Sequence, residues 1–404
     1  MAAAALDIGT VLLTFGAGLI AALAGLLLLE VVASFLPARN AIADAHANHP
    51  NVAVLIPAHN EALMIQATLH KIRPELSPQD RLIVVADNCS DQTGPLAQQA
   101  GAEVIYRNQP ELRGKGYALD FGVRHLESDS SGIRPDVVIV MDADCWSEPG
   151  ALTLIAAAAH RSARPVQAFY DLEAPPSRSS DNYLSVASLA WSIKNFVRPL
   201  GLHRLGLPCQ LMGTGMAFPW AVIAEADLQT PNIVEDLALG LDLASSGKAA
   251  RFLPAARVVS HFPVSVEGQQ TQRTRWEAGH VQMIFGSVPA HLLKALRRAN
   301  RDLFVLAADA AVPPLTLYLT WAASIFVLSL ILAGAGGSLL PLGIAAAALL
   351  AIGTTIFLAA TRVGRFLALL GVVGRIPGYA ASKIAIYKGA FSGKTISWNR
   401  SKRD

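Results

Sequence analysis

Three stretches of this 404-residue chain are apolar over the length of a membrane span. Residues 8–29 carry no charged side chain and are long enough to cross a hydrocarbon core about 30 Å thick. Residues 310–361 are also uncharged, and they divide into spans at about 314–333 and 340–360, on either side of a glycine-rich turn at 334–338. The pattern predicts one transmembrane helix near the N-terminus and two near the C-terminus.

Each apolar region has a competing interpretation. The first run could be a cleaved signal peptide, but no Lys or Arg precedes it and it is longer than a typical signal core. The second region could be a buried helical hairpin, which its combined length disfavours. Membrane anchors are therefore the favoured interpretation of all three spans.

Residues 50–285 alternate short apolar runs with amphipathic stretches, which is typical of a doubly wound α/β domain with a mostly parallel sheet. The predicted strands end at polar clusters, as the strands of a ligand-binding sheet do. Strands are expected at 51–57, 81–86, 103–106 and 137–141, and helices at 62–72, 93–99 and 116–126.

Two further segments combine leucine or other apolar residues with lysine and arginine. Residues 288–309 predict one amphipathic helix lying on the membrane, with an ordinary surface helix as the alternative, and residues 375–391 predict a second. The expected domain plan begins with an N-terminal helix and linker at 1–49 and a catalytic domain at 50–285. An interface helix at 286–312, two spans at 313–362, and an interface helix with a basic tail at 363–404 follow.

Composition and charge agree with a membrane protein. The chain is 52% hydrophobic and only 16% charged, with a net charge of +3. Basic residues follow the first span at Arg39 and the last span throughout the tail, so the positive-inside rule places the N-terminus outside and the catalytic domain in the cytoplasm, at the inner membrane. These basic clusters favour anionic lipid headgroups rather than nucleic acid. Three isolated cysteines support neither a disulfide nor a zinc site.

The sequence Asp142-Ala143-Asp144 directly follows the predicted strand at 137–141. Two carboxylates so close together repel each other unless a cation or a proton intervenes. At the carboxyl end of a buried strand they predict a Mg²⁺ or Mn²⁺ site shared with a substrate phosphate.

Four other motifs are ambiguous when each is taken alone. The pair Glu235-Asp236 is expected in the first turn of a helix, where acids are common. Residues 272–276, Gln-Arg-Thr-Arg-Trp, offer guanidinium groups and an indole, but a basic helix can also face lipid. Lys115 lies between two glycines before a helix, and Gly213-Thr214-Gly215 is a small-residue loop.

Three histidines, His59, His261 and His280, lack metal-ligand spacing and are expected to be structural or solvent-facing.

Taken in order, these motifs resemble family 2 glycosyltransferases of the GT-A fold. The resemblance rests on the series PAHNE, ADNCSD, GKG, MDAD, GTG, VED and QRTRW, which lies within residues 50–285. More narrowly, the chain is similar to the membrane-integrated branch that contains cellulose, chitin and hyaluronan synthases and ceramide glucosyltransferase.

The resemblance implies a role for each matching residue. Asp236, beside Glu235, would be the general base, and Asp142 and Asp144 would hold the metal, with Asp144 the more direct ligand. The nucleotide-diphosphate sugar, expected to be a UDP-sugar, would contact Glu61, Asp87, Lys115, Asp142, Gln272, Arg275 and Trp276. The acceptor would meet Trp276 and the loop of Gly213, Thr214 and Gly215. The implied reaction is a single displacement with inversion at the anomeric carbon.

The acceptor remains open at this level. A polysaccharide or its lipid-linked precursor ranks first, and single sugar transfer to a membrane lipid ranks second. Three spans are few for a polysaccharide channel, because polar sugar needs a lined path through hydrocarbon, although a homo-oligomer would supply more helices. An inactive scaffold is disfavoured because all the expected carboxylates and the QRTRW segment are present.

Overall fold

The computed structural model describes residues 2–37, 49–129, 134–178, 182–230 and 232–365. Arg39, the predicted interface helix at 375–391 and the basic tail lie outside these ranges. Within them the chain forms eight strands: β1 Val52–Ala58, β2 Arg81–Asp87, β3 Glu103–Arg107, β4 Val137–Val140, β5 Trp146–Ser147, β6 Val166–Glu173, β7 Met216–Pro219 and β8 Arg251–His261.

Helices surround the sheet and form a separate apolar bundle that contains the three candidate spans. Those of the first half are α1 Ala2–Ala33, α2 Ile65–Ile72, α3 Thr93–Gln99, α4 Lys115–Ser128, α5 Ala151–Ser162, α6 Asn182–Ser192, a π-helix Ile193–Val197 and α7 Arg198–Arg204. Those of the second half are α8 Trp220–Ile223, α9 Glu235–Ser245, α10 Val266–Phe285, α11 Val288–Arg297, α12 Arg301–Ala310, α13 Leu315–Gly334 and α14 Leu340–Arg362. Short 3₁₀ turns lie at Arg73–Glu75 and Pro176–Arg178.

The strands form one mixed sheet in the order β3-β2-β1-β4-β7-β6-β8-β5. The first four strands along the chain are parallel neighbours, as the alternating pattern predicts. Strand β7 is antiparallel to β4 and β6, and β5 is antiparallel to β8, so the second half of the sheet departs from the doubly wound parallel arrangement. Strands β1, β2 and β4 are buried along nearly their whole length, which explains their continuous apolar sequences.

Both faces of the sheet are covered. Helices α2 and α5 pack on one face through residues such as Leu69 and Ile155, and α4 packs on the other through Val123 and Leu126. Because β1, β2 and β4 run parallel, their carboxyl ends lie at the same edge of the sheet. The helices cover the two faces and leave this edge open to a ligand.

Three helices have the length and composition of membrane spans: Leu6–Ala33 of α1, Leu315–Gly334 and Leu340–Arg362. They pack on one another through apolar side chains, among them Ile20, Leu27 and Ile352. The hydroxyl of Tyr318 donates a hydrogen bond of 2.6 Å to the carbonyl oxygen of Ile20 and so joins α13 to α1. The prediction of three candidate spans is confirmed.

The prediction of a single amphipathic helix at 288–309 is wrong, because the structure has two helices there, α11 and α12. Ala299 has a φ of +48°, a left-handed conformation that ends a helix. The Asn300 side chain then caps α12 by accepting a hydrogen bond of 3.0 Å from the Leu303 amide. Leu303 and Leu306 pack against α9, whereas Leu296 and Phe304 are exposed.

Candidate active site

A cavity of about 240 Å³ opens at the carboxyl ends of β1, β2 and β4. Its wall is formed by residues that follow those strands, by the first turns of α4 and α9, and by α10. Eleven of the residues singled out from the sequence line this one cavity: Glu61, Asp87, Lys115, Asp142, Asp144, Gly213, Glu235, Asp236, Gln272, Arg275 and Trp276. Segments more than 200 residues apart in sequence thus meet at the edge of the sheet that the strand pattern indicates.

Lys115, at the start of α4, lies at the centre of this wall. Its ammonium pairs with the Asp142 carboxylate, donates a hydrogen bond of 2.6 Å to the Gly213 carbonyl, and lies 3.9 Å from Oε1 of Glu235. Burial acts to lower the pKa of Lys115, but Asp142, Glu235 and Asp236 outweigh it and raise the pKa. Lys115 therefore stays charged and joins three of the sequence motifs.

Asp142 and Asp144 suit a divalent cation. Their carboxylates and the Cys145 thiol lie within 4.8 Å of one another. Burial raises the pKa of the Cys145 thiol to about 12, so the sulfur keeps its proton and is a poor ligand. The remaining donor set is two carboxylates beside an open cavity, which fits Mg²⁺ or Mn²⁺ completed by phosphate oxygens and water. Asp144 is the more buried of the two, and it accepts a hydrogen bond of 3.1 Å from Ser260.

Glu235 and Asp236 occupy the first turn of α9, which confirms the predicted helix start. Loss of water raises the pKa of Glu235 to about 7, with Lys115 opposing the shift and Asp236 adding to it. The same loss of water raises the pKa of Asp236, against the attraction of Lys194 and Lys115. A carboxylate with a raised pKa is a better proton acceptor at neutral pH than an ordinary aspartate.

The loop of Gly213, Thr214 and Gly215 reaches the cavity only through its first residue. Gly213 lies beside the proposed base, since a methyl group there would contact the Asp236 carboxylate at 3.4 Å, and its φ of +87° favours glycine. Thr214 is buried, and its hydroxyl accepts a hydrogen bond of 3.0 Å from the Asp142 amide. Gly215 packs against Val258 instead. Of the three loop residues expected to meet the acceptor, only Gly213 lines the cavity.

The QRTRW segment lies within α10, which begins at a Ser265 cap. Gln272 is buried, and Arg275 and Trp276 face the cavity. The Trp276 ring lies 5.0 Å from the ring of Trp191, whose indole donates a hydrogen bond of 2.9 Å to the Tyr170 carbonyl. This contact fixes an aromatic wall of the kind on which a sugar ring stacks.

Several cavity residues have no functional role in the sequence interpretation, among them His59, Trp191, Lys194 and His280. His59 Nδ1 lies 2.7 Å from the Asp87 carbonyl oxygen, and His280 Nε2 lies 2.9 Å from that of Ala310. Burial lowers the pKa of His280 to about 4, so its ring is neutral. The four-residue spacing from Trp276 to His280 places both on one helix face and could have identified His280.

Comparison with known proteins agrees with this geometry. The sequence model of a family described as "Glycosyltransferase like family 2" matches residues 49–279, more than half of the chain. The chain belongs to glycosyltransferase family 2. It is 27% identical over 267 residues to the probable glycosyltransferase YdaM of Bacillus subtilis (strain 168), covering 63% of this chain and 61% of YdaM.

Over a shorter segment, the chain is similar in sequence to the 4,4'-diaponeurosporenoate glycosyltransferase of Staphylococcus aureus (strain bovine RF122 / ET3-1). The two are 31% identical over 102 residues, or 22% of this chain and 27% of the relative. The chain thus aligns with less than two thirds of the length of either relative.

Among solved structures, the mannosyltransferase PcManGT of Pyrobaculum calidifontis, determined in complex with GDP-Man and Mn²⁺, has a TM-score of 0.54 to this chain. The likeness has 19% sequence identity and covers 92% of this chain and 98% of PcManGT. It shows a shared GT-A fold, as the sequence resemblance predicts.

Proposed function

We propose that the chain transfers a sugar from a nucleotide-diphosphate donor, with inversion and with Mg²⁺ or Mn²⁺, to an acceptor at the membrane surface. The observation that supports this most strongly is the meeting of Asp142 and Asp144, Glu235 and Asp236, and the QRTRW segment in one cavity. A displacement needs charge neutralisation on the leaving diphosphate and a base for the acceptor hydroxyl, and these groups supply both.

In the proposed reaction, Asp236 accepts the proton of the acceptor hydroxyl. The hydroxyl oxygen then forms a bond to the anomeric carbon as the bond from that carbon to the diphosphate breaks. Asp142 and Asp144 would hold the divalent cation, which supplies Lewis-acid stabilisation of the leaving diphosphate when it is bound. Arg275 would add a bidentate guanidinium contact to the same phosphates, and Trp276 would hold the sugar at the acceptor end.

Single transfer to a membrane lipid is favoured over extension of a polysaccharide. A second cavity, of about 140 Å³, lies beside the first and is walled partly by Leu27 of α1 and by Leu315 and Thr316 of α13. The described spans pack through apolar side chains at their shared interface, which offers no lining suited to a polar polymer. A lipid acceptor can instead enter from the bilayer while its headgroup reaches Asp236.

We further propose that the N-terminus lies outside the cytoplasm and the catalytic domain inside, because basic residues follow the first and last spans. Protease added to inverted membrane vesicles should cleave the catalytic domain, whereas protease added to intact spheroplasts should not. Cleavage in intact spheroplasts would reverse the orientation.

The product test uses the purified full chain with labelled UDP-sugars and GDP-sugars and a membrane lipid extract. We expect labelled product of low molecular mass that partitions into organic solvent, and its formation should stop with EDTA and resume with added Mg²⁺ or Mn²⁺. PcManGT was solved with GDP-Man, so the panel includes both nucleotides. High-mass, water-soluble product would favour polysaccharide synthesis, and activity indifferent to EDTA would contradict the metal assignment.

A further inference from the structure

The cavity beside the candidate membrane helices shares part of its wall with the catalytic cavity. Both include Trp191, Lys194, Gln272, Trp276 and His280 in their walls. The outer wall is apolar and is formed by Phe262 and by residues of α1 and α13. The space therefore has an apolar side toward the bilayer and a polar side toward Asp236.

Lys194 is the cation of this shared wall that makes no direct hydrogen bond or ion pair among the described residues, although the carboxylates of Asp236, Asp309 and Glu277 attract it. Its side chain is exposed on the cavity surface and takes part in no hydrogen bond or ion pair there. The neighbouring cations are engaged: Lys115 pairs with Asp142, and Arg198 donates to Glu30 at 2.7 Å and pairs with Asp309. An ammonium that is exposed on a cavity wall and makes no direct hydrogen bond or ion pair there can donate charge-assisted hydrogen bonds to an anionic ligand.

The backbone at Lys194 is unusual as well. Residues Ile193–Val197 form a π-helix between α6 and α7, in which the Arg198 amide donates to the Ile193 carbonyl five residues back. Pro199 has no N–H, and its ring conflicts with the carbonyl four residues earlier, so it favours the widened turn. Such turns are less stable than an α-helix and occur frequently at functional sites. Here the turn carries Lys194 on the cavity wall.

We propose that this second cavity binds the acceptor as a lipid whose headgroup carries both a hydroxyl and an anionic group, phosphate or carboxylate, and that Lys194 pairs with the anion. This inference rests on the proposed function and narrows its acceptor class. The headgroup hydroxyl gives its proton to Asp236, and its oxygen bonds to the anomeric carbon as the bond from that carbon to the nucleoside diphosphate breaks, while the anion of the lipid is unchanged. Lys194 is thus a specificity-determining residue, and a neutral lipid such as a ceramide is a poorer acceptor.

The test is equilibrium binding of labelled short-chain lipids to the full chain in detergent. The probes are dioctanoyl phosphatidylglycerol, oleate and dioctanoylglycerol, which offer a phosphate, a carboxylate and no charge. K194Q should weaken binding of the anionic probes by about 10-fold or more, the loss expected for one charge-assisted contact, and change dioctanoylglycerol binding less than twofold. K194R, which keeps the charge, should restore most of the affinity. K248Q is the control, since Lys248 pairs with Glu225 away from both cavities.

Each outcome decides the inference. If K194Q binds both anionic probes more weakly than the wild type does, Lys194 pairs with either anion. If K194Q binds only one of them more weakly, that probe identifies the anion. Equal affinity of wild type and K194Q for the anionic probes would overturn it, as would equal affinity of the wild type for charged and neutral probes. Binding of the nucleoside diphosphate with Mn²⁺ is measured in parallel. If K194Q weakens that binding instead, Lys194 belongs to the donor site and the inference fails. If the wild type binds no nucleotide, the proposed function itself fails.

Discussion

Two neighbouring carboxylates, Glu235 and Asp236, have different charged partners although they share one helical turn. Lys115 is the nearer cation for Glu235, at 3.9 Å, whereas Lys194 is the main attraction acting on Asp236. Asp236 raises the pKa of Glu235, whereas burial and the nearby Asp142 raise the pKa of Asp236. The proposed base therefore loses its proton at a higher pH than an isolated aspartate does.

The attraction between Lys194 and Asp236 predicts the pH dependence of K194Q. Asp236 must be unprotonated to act, so transfer should fall as the pH drops through its raised pKa. Removing the Lys194 charge raises that pKa further, and the acid limb of the kcat profile should move to higher pH. The control is K248Q, because Lys248 pairs with Glu225 outside the cavity lining. An acid limb that stays fixed or moves to lower pH would contradict the attraction.

At the scale of elements, α7 of the catalytic domain and the candidate membrane helix α1 meet at a close contact. A methyl group on Gly201 of α7 would lie 1.7 Å from the Glu30 carbonyl oxygen of α1, so only glycine allows this approach. Nearby, Arg198 of α7 binds Glu30 and Asp309 together, which ties α1 and the end of α12 to the catalytic domain.

G201A should therefore destabilise the protein by about 1–3 kcal/mol, the usual cost of overpacking, although alanine is the better helix former. Thermal unfolding in detergent measures this change. The matched control is G25A in α1, where a new methyl group meets no atom within 4 Å. If the two variants unfold at the same temperature, the contact at Gly201 does not hold the helices together.

Elements with strong local signals were predictable from the sequence, and those set by tertiary context were not. Buried runs end at Asp87 and Asp142, so β2 and β4 and the site edge follow from the pattern. The break before α12 carried a local signal, since Asn300 is a typical helix cap. Pro199 is a local signal for the π-helix at Lys194, but the cavity beside Lys194 depends on the meeting of that turn with α1 and α10, which no local pattern records.

Over the whole molecule, the catalytic cavity lies where the GT-A domain meets the membrane helices. The donor side is built by the ends of β1, β2 and β4, and the acceptor side adjoins α1 and α13. In the proposed function, this arrangement would place a water-soluble donor and a bilayer-embedded acceptor on opposite sides of Asp236. A lipid acceptor would need access to the bilayer rather than a channel through it, which agrees with three candidate spans among the described residues.

The central claim is metal-dependent sugar transfer with Asp236 as the base, and D236N tests it most directly. The purified full chain and the variant are each given labelled nucleotide-diphosphate sugar, Mn²⁺ and membrane lipid, and transfer and nucleotide binding are both measured. We expect the wild type to label the lipid fraction, and D236N to bind the nucleotide as tightly while transferring at least about 100-fold more slowly. Transfer by D236N at the wild-type rate would contradict the claim.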